Sequence, residues 1–302
     1  MKCRKCSARA VINMRHHKLA LCNDCFPTWL KNQTLSNIRR MGMFRQKDKV
    51  LVCVSGGKDS LALWFVLESL GYQIEAMHVD LGIPEYSQRS RECVKRMGER
   101  LEREPIIVDI GRELGITVED AQKYSKRNPC SVCGIIKRHY MNSVAVERGC
   151  DVVATGHNLD DEASTLLMNT LSWNLDYLAH QSPVSPPHDG LVKKVRPFCH
   201  FGEREIGIFS FLNGIDWVRE ECPHVGGSST MEYKYILTRL EEDHPGIRRH
   251  FYSKFLQARH VFEKENDAEL HPCERCGMAT SVGVCAFCRA VEQISEAKEK
   301  FE

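Results

Sequence analysis

No stretch of the 302-residue chain approaches the roughly 20 consecutive apolar residues that a bilayer-spanning helix needs. The opening MKCRKCSARA is charged where a secretory signal would carry its apolar centre. Together these absences argue against a membrane partner and predict a cytoplasmic protein. Two nucleotide signatures are also missing: there is no Gly-x-Gly-x-x-Gly, and no Walker loop with its two glycines four residues apart followed by Lys-Ser/Thr. There is no low-complexity tract, and no internal repeat beyond the similarity of two cysteine-rich ends. Acidic residues are nearly absent from residues 1–49, which hold Asp24 and Asp48 against twelve Lys or Arg. The net charge of +2 therefore hides a basic head on a mildly acidic body, a distribution that suggests a polyanionic partner such as nucleic acid.

The middle of the chain alternates two periodicities. VLVCV (50–54), QIEAMHVDLG (73–82), PIIVDI (105–110) and DVVATGH (151–157) read as strands. Leu61–Leu70, Glu85–Glu104, Ile135–Gly149 and Asn158–Trp173 read as helices between or after them. Such alternation predicts an α/β fold, a doubly wound parallel sheet of Rossmann-like type, with ligands bound at the carboxyl ends of the strands. QSPVSPPHDG (181–190) reads as a loop, and the chain beyond it as mainly helical to about residue 265. The organisation expected is a zinc finger over 1–30, a catalytic domain with a helical C-terminal part over 31–265, and a zinc ribbon over 266–302.

Where the first strand hands over to its helix the sequence reads SGGKDS, Ser55 to Ser60. Two glycines let backbone N–H groups approach a ligand, and the helix dipole behind them favours an anion, so phosphate is the expected occupant. The hexapeptide resembles the PP-loop of the ATP pyrophosphatases, which split ATP between its α and β phosphates and transfer AMP to a carbonyl oxygen. That resemblance implies that the loop cradles pyrophosphate, with Lys58 supplying charge and Asp59 holding Mg²⁺ or positioning substrate. TGHNLDDEA (155–163) also follows a strand and opens a helix. It places His157, Asp160, Asp161 and Glu162 opposite the glycine loop, the carboxylates as Mg²⁺ candidates or as ordinary helix-capping acids. His78 and Asp80, ending the second strand, are expected near the adenosine.

Fifteen cysteines in a reducing compartment read as metal ligands or catalytic thiols. Cys3, Cys6, Cys22 and Cys25 form two Cys-x-x-Cys pairs with the spacing of a four-cysteine zinc site, and Cys273, Cys276, Cys285 and Cys288 repeat the scheme with a shorter loop. Two structural Zn²⁺ ions are expected, each stapling a flap too small to bury a core alone. Cys130 and Cys133, in PCSVCG, have no second pair to join. They recruit a lone cysteine or perform thiol chemistry, and of the two lone cysteines outside clear elements Cys222, in EECPH, is favoured over Cys199. Three thiolates on a [4Fe–4S] cluster would leave one iron open to bind and deliver sulfide. The competing reading is a persulfide on Cys130 resolved by Cys133.

With these motifs together the chain resembles the TtuA-type tRNA 2-thiouridine synthetases, relatives of the TtcA cytidine thiolases and of the wobble-uridine thiolases. The resemblance spans both cysteine-rich ends, SGGKDS, PCSVCG with the following IIKR, TGHNLDDEA and EECP. It implies a tRNA sulfurtransferase that adenylates a uridine C2 carbonyl with ATP and Mg²⁺ and replaces the oxygen with sulfur, at ribothymidine 54 of the T-loop. It places a [4Fe–4S] cluster on Cys130, Cys133 and Cys222. Nucleotide contacts fall on Ser55, Gly56, Gly57, Lys58, Asp59, Ser60, Gly156, His157 and Asp161, with Asp59 and Lys137 catalytic. A ubiquitin-like sulfur carrier with a C-terminal thiocarboxylate and a homodimeric assembly are further implications. Without the resemblance, Lys137 reads equally well as a surface lysine beside Arg138. Rival readings are wobble-uridine 34 thiolation, a cluster-free persulfide thiolase, a nitrogen-transferring ATP pyrophosphatase, and a zinc-stapled RNA-binding scaffold.

Overall fold

The computed structural model describes residues 1–225, 230–262 and 269–301. The N-terminal segment is an antiparallel hairpin of β1 (Ile12–Met14) and β2 (Leu19–Leu21), followed by α1 (Cys25–Arg40). Helix α1 starts at the second Cys-x-x-Cys pair and continues without a break, so a boundary at residue 30 falls inside it. Strand and helix then alternate through β3 (Lys49–Cys53), α2 (Lys58–Ser69), β4 (Gln73–Asp80), α3 (Tyr86–Leu101) and β5 (Ile106–Asp109). Two short helices, α4 (Ile110–Leu114) and α5 (Val118–Tyr124), precede α6 (Pro129–Glu147) and β6 (Val152–Thr155). Next come α7 (Leu159–Leu171), α8 (Leu175–His180), β7 (Val184–Ser185), β8 (Lys193–Val195) and α9 (Glu203–Leu212). The helices α10 (Thr230–Asp243) and α11 (Ile247–Ala258) follow, and β9 (His271–Pro272), β10 (Ala279–Thr280) and α12 (Ala286–Phe301) form the C-terminal finger.

The strands pair in the order β5-β4-β3-β6-β8-β7, all parallel except the edge strand β7. Because side chains alternate across a strand, each strand feeds two cores. Val50, Val52, Ala76, Val152 and Ala154 face one, with α1, α2, α7, α9 and α11. Leu51, Cys53, Met77, Val79 and Val153 face the other, with α5, α6 and α12. The two fingers complete opposite faces: Cys3, Leu21 and Cys22 join the first core, whereas Cys273, Cys285, Phe287 and Ile294 join the second. The flaps thus borrow the core of the central domain.

Two expectations are corrected. Helix α6 begins at Pro129, six residues ahead of the expected Ile135, because Asn128 caps it by accepting from Cys130 N at 2.9 Å and Pro129 fills the first helical position. Cys130 and Cys133 are therefore helical. The segment 181–190, expected to be a loop, contains β7, and the helical stretch expected beyond it begins with β8. A two-residue strand has no periodicity to read, and the prolines flanking it are tolerated because β7 lies at the sheet edge.

Candidate active site

Strands β3 and β6 are neighbours, and the chain leaves β3 toward β4 on one side before returning to β6 on the other. The loops at their carboxyl ends consequently part and frame a crevice, the usual ligand site of a doubly wound sheet. Ser55 to Gly57 form one rim. Gly56 has φ 82°, and a Cβ there would lie 2.7 Å from Ser90 O, so only glycine lets the loop pass under α3. Ser60 Oγ braces the turn, accepting from Ser55 N and donating to Gly57 O, each at 3.0 Å. Gly156 forms the facing rim: a Cβ on it would meet Ser60 N at 2.7 Å. Between the rims is a cavity of about 300 Å³ lined by Ser55, Asp59, Ser60, His78, Lys137, Gly156, His157 and Asp161, together with Tyr86, Ser87 and Ser90 of α3.

The acidic residues divide sharply. Asp161 lines the cavity, and its Oδ2 also accepts from Asn158 N at 3.0 Å in a capping box. Asp160 instead accepts from Glu203 N at 2.8 Å and pairs with Arg248, while Glu162 binds Tyr252 Oη at 2.7 Å and Arg196 at 3.1 Å. Those two, grouped with Asp161 as Mg²⁺ candidates, serve packing. Asp80 accepts from Gly82 N at 3.0 Å, pairs with Arg91 and does not line the cavity. Lys58 is likewise off the cavity wall, its ammonium 2.6 Å from Glu203 and 3.3 Å from Asp59.

Burial pushes the Asp59 carboxyl up to about 6, and Asp161 and Glu203 add to this against the opposing charge of Lys58. Its Oδ1 is buried with no hydrogen-bond partner. Burial alone would also raise Asp161, but Lys234 and His157 hold it below the usual carboxylate range. The native Asp59 thus binds its proton more tightly than the unfolded chain does, so this group costs stability as pH rises from about 4 through about 6. Asp59→Asn is expected to stabilise the metal-free protein at pH 7.5 by on the order of 2 kcal/mol. A thermal melt showing no increase, or a decrease, would refute the assignment.

Two histidines complete the walls. Burial holds both His78 and His157 below the ordinary imidazole range. His78 Nδ1 lies 2.9 Å from Val54 O, which fixes the neutral tautomer with Nδ1–H donating and leaves the buried Nε2 as an acceptor without a partner. His157 Nδ1 is 2.8 Å from Thr155 Oγ1. An unsatisfied carboxylate oxygen, an unsatisfied imidazole nitrogen and a glycine nest at a helix N-terminus suit the triphosphate and base of a nucleotide with its Mg²⁺.

The thiols reach the same site through Lys137. Burial would lower its ammonium, but the charge of Cys133, followed by Tyr86 and a hydrogen bond to Cys133, raises it. Cys130 responds to both Cys133 and Cys222, after a larger upward push from burial. Cys130 Sγ donates to His224 O at 3.2 Å, two residues beyond Cys222, which ties α6 to that segment. The trio differs from the two terminal quartets. In each quartet the four sulfurs lie within 4.8 Å of one another, near the edge of about 3.8 Å that a Zn–S bond of about 2.3 Å sets in a tetrahedron. Among the described residues, Cys130, Cys133 and Cys222 form no such compact group. Cys199 is fully buried in the first core, away from the trio.

A PP-loop domain model matches residues 30–224, and a model of the N-terminal LIM domain of the 2-thiouridine synthetase TtuA matches residues 2–27. The tRNA-5-methyluridine(54) 2-sulfurtransferase of Thermus thermophilus is 42% identical over 301 residues, 99% of this chain and 94% of that protein. The chain belongs to the tRNA-5-methyluridine(54) 2-sulfurtransferase family. A Pyrococcus horikoshii protein of the same name is 39% identical, over 96% of this chain and 93% of its own. The solved U34-tRNA thiolase NcsA of Methanococcus maripaludis, described with its [4Fe–4S] cluster, superposes with a TM-score of 0.83 at 27% identity, covering 97% of this chain and 96% of that one.

Sequence reasoning missed several members of this family site. Tyr86, Ser87 and Ser90 line the cavity from α3, and the strand-end rule would have reached them had it been extended past β4 to the next helix. Lys234 pairs with Asp161 at 2.5 Å, and Glu203 stands between Lys58 and Lys234. Both come from distant helices with no motif around them.

Proposed function

We propose that this protein is a tRNA sulfurtransferase that converts the C2 carbonyl of 5-methyluridine 54 to a thiocarbonyl at the expense of ATP. The observation that carries this reading is Lys137, which lines the nucleotide cavity and hydrogen-bonds the Cys133 thiol, so an activated base and a sulfur source can meet there. The choice of position 54 over 34 is supported by relatives of 38–42% identity that carry the 54 name, against 27% for the NcsA structure named for U34.

In this reading the uridine O2 attacks the α-phosphorus of ATP, the bond to the β-phosphate breaks, and pyrophosphate leaves. Sulfide then attacks C2, and the C2–O bond breaks with AMP carrying the oxygen away. The backbone N–H groups of Ser55 to Gly57 and the N-terminus of α2 receive the charge that develops on pyrophosphate. His78 Nε2, an acceptor only, orients a donor on the nucleotide. The Lys137 ammonium stabilises negative charge at the activated C2–O group and hydrogen-bonds the neighbouring Cys133 sulfur. Cys130, Cys133 and Cys222 would hold a [4Fe–4S] cluster, and Asp59 and Asp161 Mg²⁺; when bound, the cluster supplies sulfide from an iron without a protein thiolate, and Mg²⁺ neutralises phosphate charge.

The cofactor set further includes one Zn²⁺ in each terminal quartet. We further propose a ubiquitin-like thiocarboxylate carrier as upstream sulfur donor, a homodimeric assembly and a cytoplasmic setting. Among the described residues no helix is long and apolar enough to cross a membrane. Incubating the anaerobically prepared protein with ATP, Mg²⁺, sulfide and tRNA that carries 5-methyluridine 54 but no thionucleotide should yield AMP and one 5-methyl-2-thiouridine, at position 54 by nucleotide mapping. AMP formation without a thionucleotide, or sulfur at position 34 alone, would overturn this assignment.

A further inference from the structure

Lys234 lies in the second turn of α10 and reaches across to the first turn of α7. Its ammonium is 2.5 Å from Asp161 Oδ1 and 3.8 Å from Glu203 Oε2, on a side chain only 23% exposed. Lys58 approaches the same carboxylates from the other side, 2.6 Å from Glu203 and 3.3 Å from Asp59. Charges alternate: Asp161, Lys234, Glu203, Lys58, Asp59. The chain of pairs ends at Asp59 Oδ1, which is buried and unpartnered.

A divalent cation ligated by Asp59 and Asp161 would add two positive charges in contact with Lys234. Like charges so close in a partly desolvated site disfavour one another strongly. Cation and ammonium can share the site only if new negative charge arrives with them, and the phosphates of a nucleotide bring that charge. Asp161 cannot swing away to relieve the conflict, because its other oxygen caps α7 through Asn158 N.

We propose that Lys234 makes divalent-cation binding conditional on nucleotide: its ammonium holds the Asp161 carboxylate until phosphates enter, then passes from the carboxylate to them. This rests on the nucleotide-site reading given above. Lys234 is accordingly a positioning residue, and its role has a signature that simple structural support lacks. Removing its charge should tighten metal binding in the absence of nucleotide, whereas a damaged site binds metal less well.

The test uses the full-length, zinc-loaded protein with Mn²⁺ as the probe, the free ion being counted from its paramagnetic resonance signal. Without nucleotide, Lys234→Met should bind Mn²⁺ roughly tenfold or more tightly than the parent, as expected for loss of one contacting like charge. Lys234→Arg, which keeps the charge, should match the parent. With α,β-methylene ATP present, the parent's Mn²⁺ affinity should rise steeply, and that of Lys234→Met should gain much less. Unchanged nucleotide-free affinity in Lys234→Met, or equal tightening in Lys234→Arg, overturns the proposal. If the parent shows no analogue-dependent Mn²⁺ binding, the nucleotide-site reading itself fails. If Lys234→Met does not retain its two zinc ions, Lys234→Gln replaces it with the same expectation.

Discussion

Cys222→Ser should abolish thiolation while leaving nucleotide binding intact. Losing the hydrogen-bond partner of a metal ligand typically costs about 10–100-fold, and losing the ligand itself costs more, so a fall of at least about a hundredfold is expected. Cys222 is half-buried and packs against the second core, where serine is nearly isosteric, so the fold should tolerate the change. The anaerobically purified variant should also lose the broad visible absorbance that iron–sulfur clusters give. Binding of an ATP analogue should match the parent, because the cavity walls do not include Cys222. Retained colour with full thiolation would remove Cys222 from the sulfur site. A colourless but active protein would favour a persulfide on Cys130 and Cys133.

Cys273→Ser is expected to have the second large effect, through structure rather than chemistry. Structural zinc in small finger peptides contributes apparent binding energies of about 10–16 kcal/mol, and a domain's whole margin is about 5–15 kcal/mol. The C-terminal finger spends that energy on α6. Phe287 stacks on His139 at 3.6 Å between centroids and 1° between planes, and meets Tyr140 edge-on at 5.8 Å. Burial holds His139 down to about 4, so it presents a neutral ring to Phe287. Farther along α12, Lys298 donates to Gly115 O at 3.1 Å, and Phe301 stacks on Tyr124 of α5. Helix α6 carries Cys130, Cys133 and Lys137, so loosening α12 should disorder the sulfur half of the site. Zinc content should fall from two ions to one, amide exchange should rise across 129–147, and thiolation should drop with it. Cys3→Ser should instead raise exchange around β1, β2 and α1. If both variants loosened the same helices, the assignment of the fingers to separate faces would be wrong.

How much of this could be read from the chain depended on how local each feature was. The glycine turn and TGHNLDDEA were readable because a strand, a tight turn and a helix N-terminus are set by consecutive residues. The terminal zinc quartets were readable because chelating pairs have fixed spacing. Which acid of Asp160, Asp161 and Glu162 faces the nucleotide was not readable: neighbours on a helix point about 100° apart, and only the helix's rotation against the sheet decides among them. That rotation is fixed partly by Arg248 and Tyr252, which hold Asp160 and Glu162 from α11, some ninety residues away. Lys234 was hidden for the same reason. The start of α6 was missed because PCSVCG was read for its thiols and the helix only from Ile135, although Asn128 and Pro129 together are a helix-opening pair.

The placement of the fingers also bears on how the protein is made. Cys3 and Cys22 are synthesised long before Tyr252 and Phe255 of α11, which belong to the same core. The opposite face waits for Phe287 and Ile294, synthesised later still. Neither side of the sheet can close before those late residues are made, and each then needs its own metal ion. Maturation is therefore expected to depend on zinc supply once α12 has been made, and chains starved of zinc should be the population that chaperones and proteases capture.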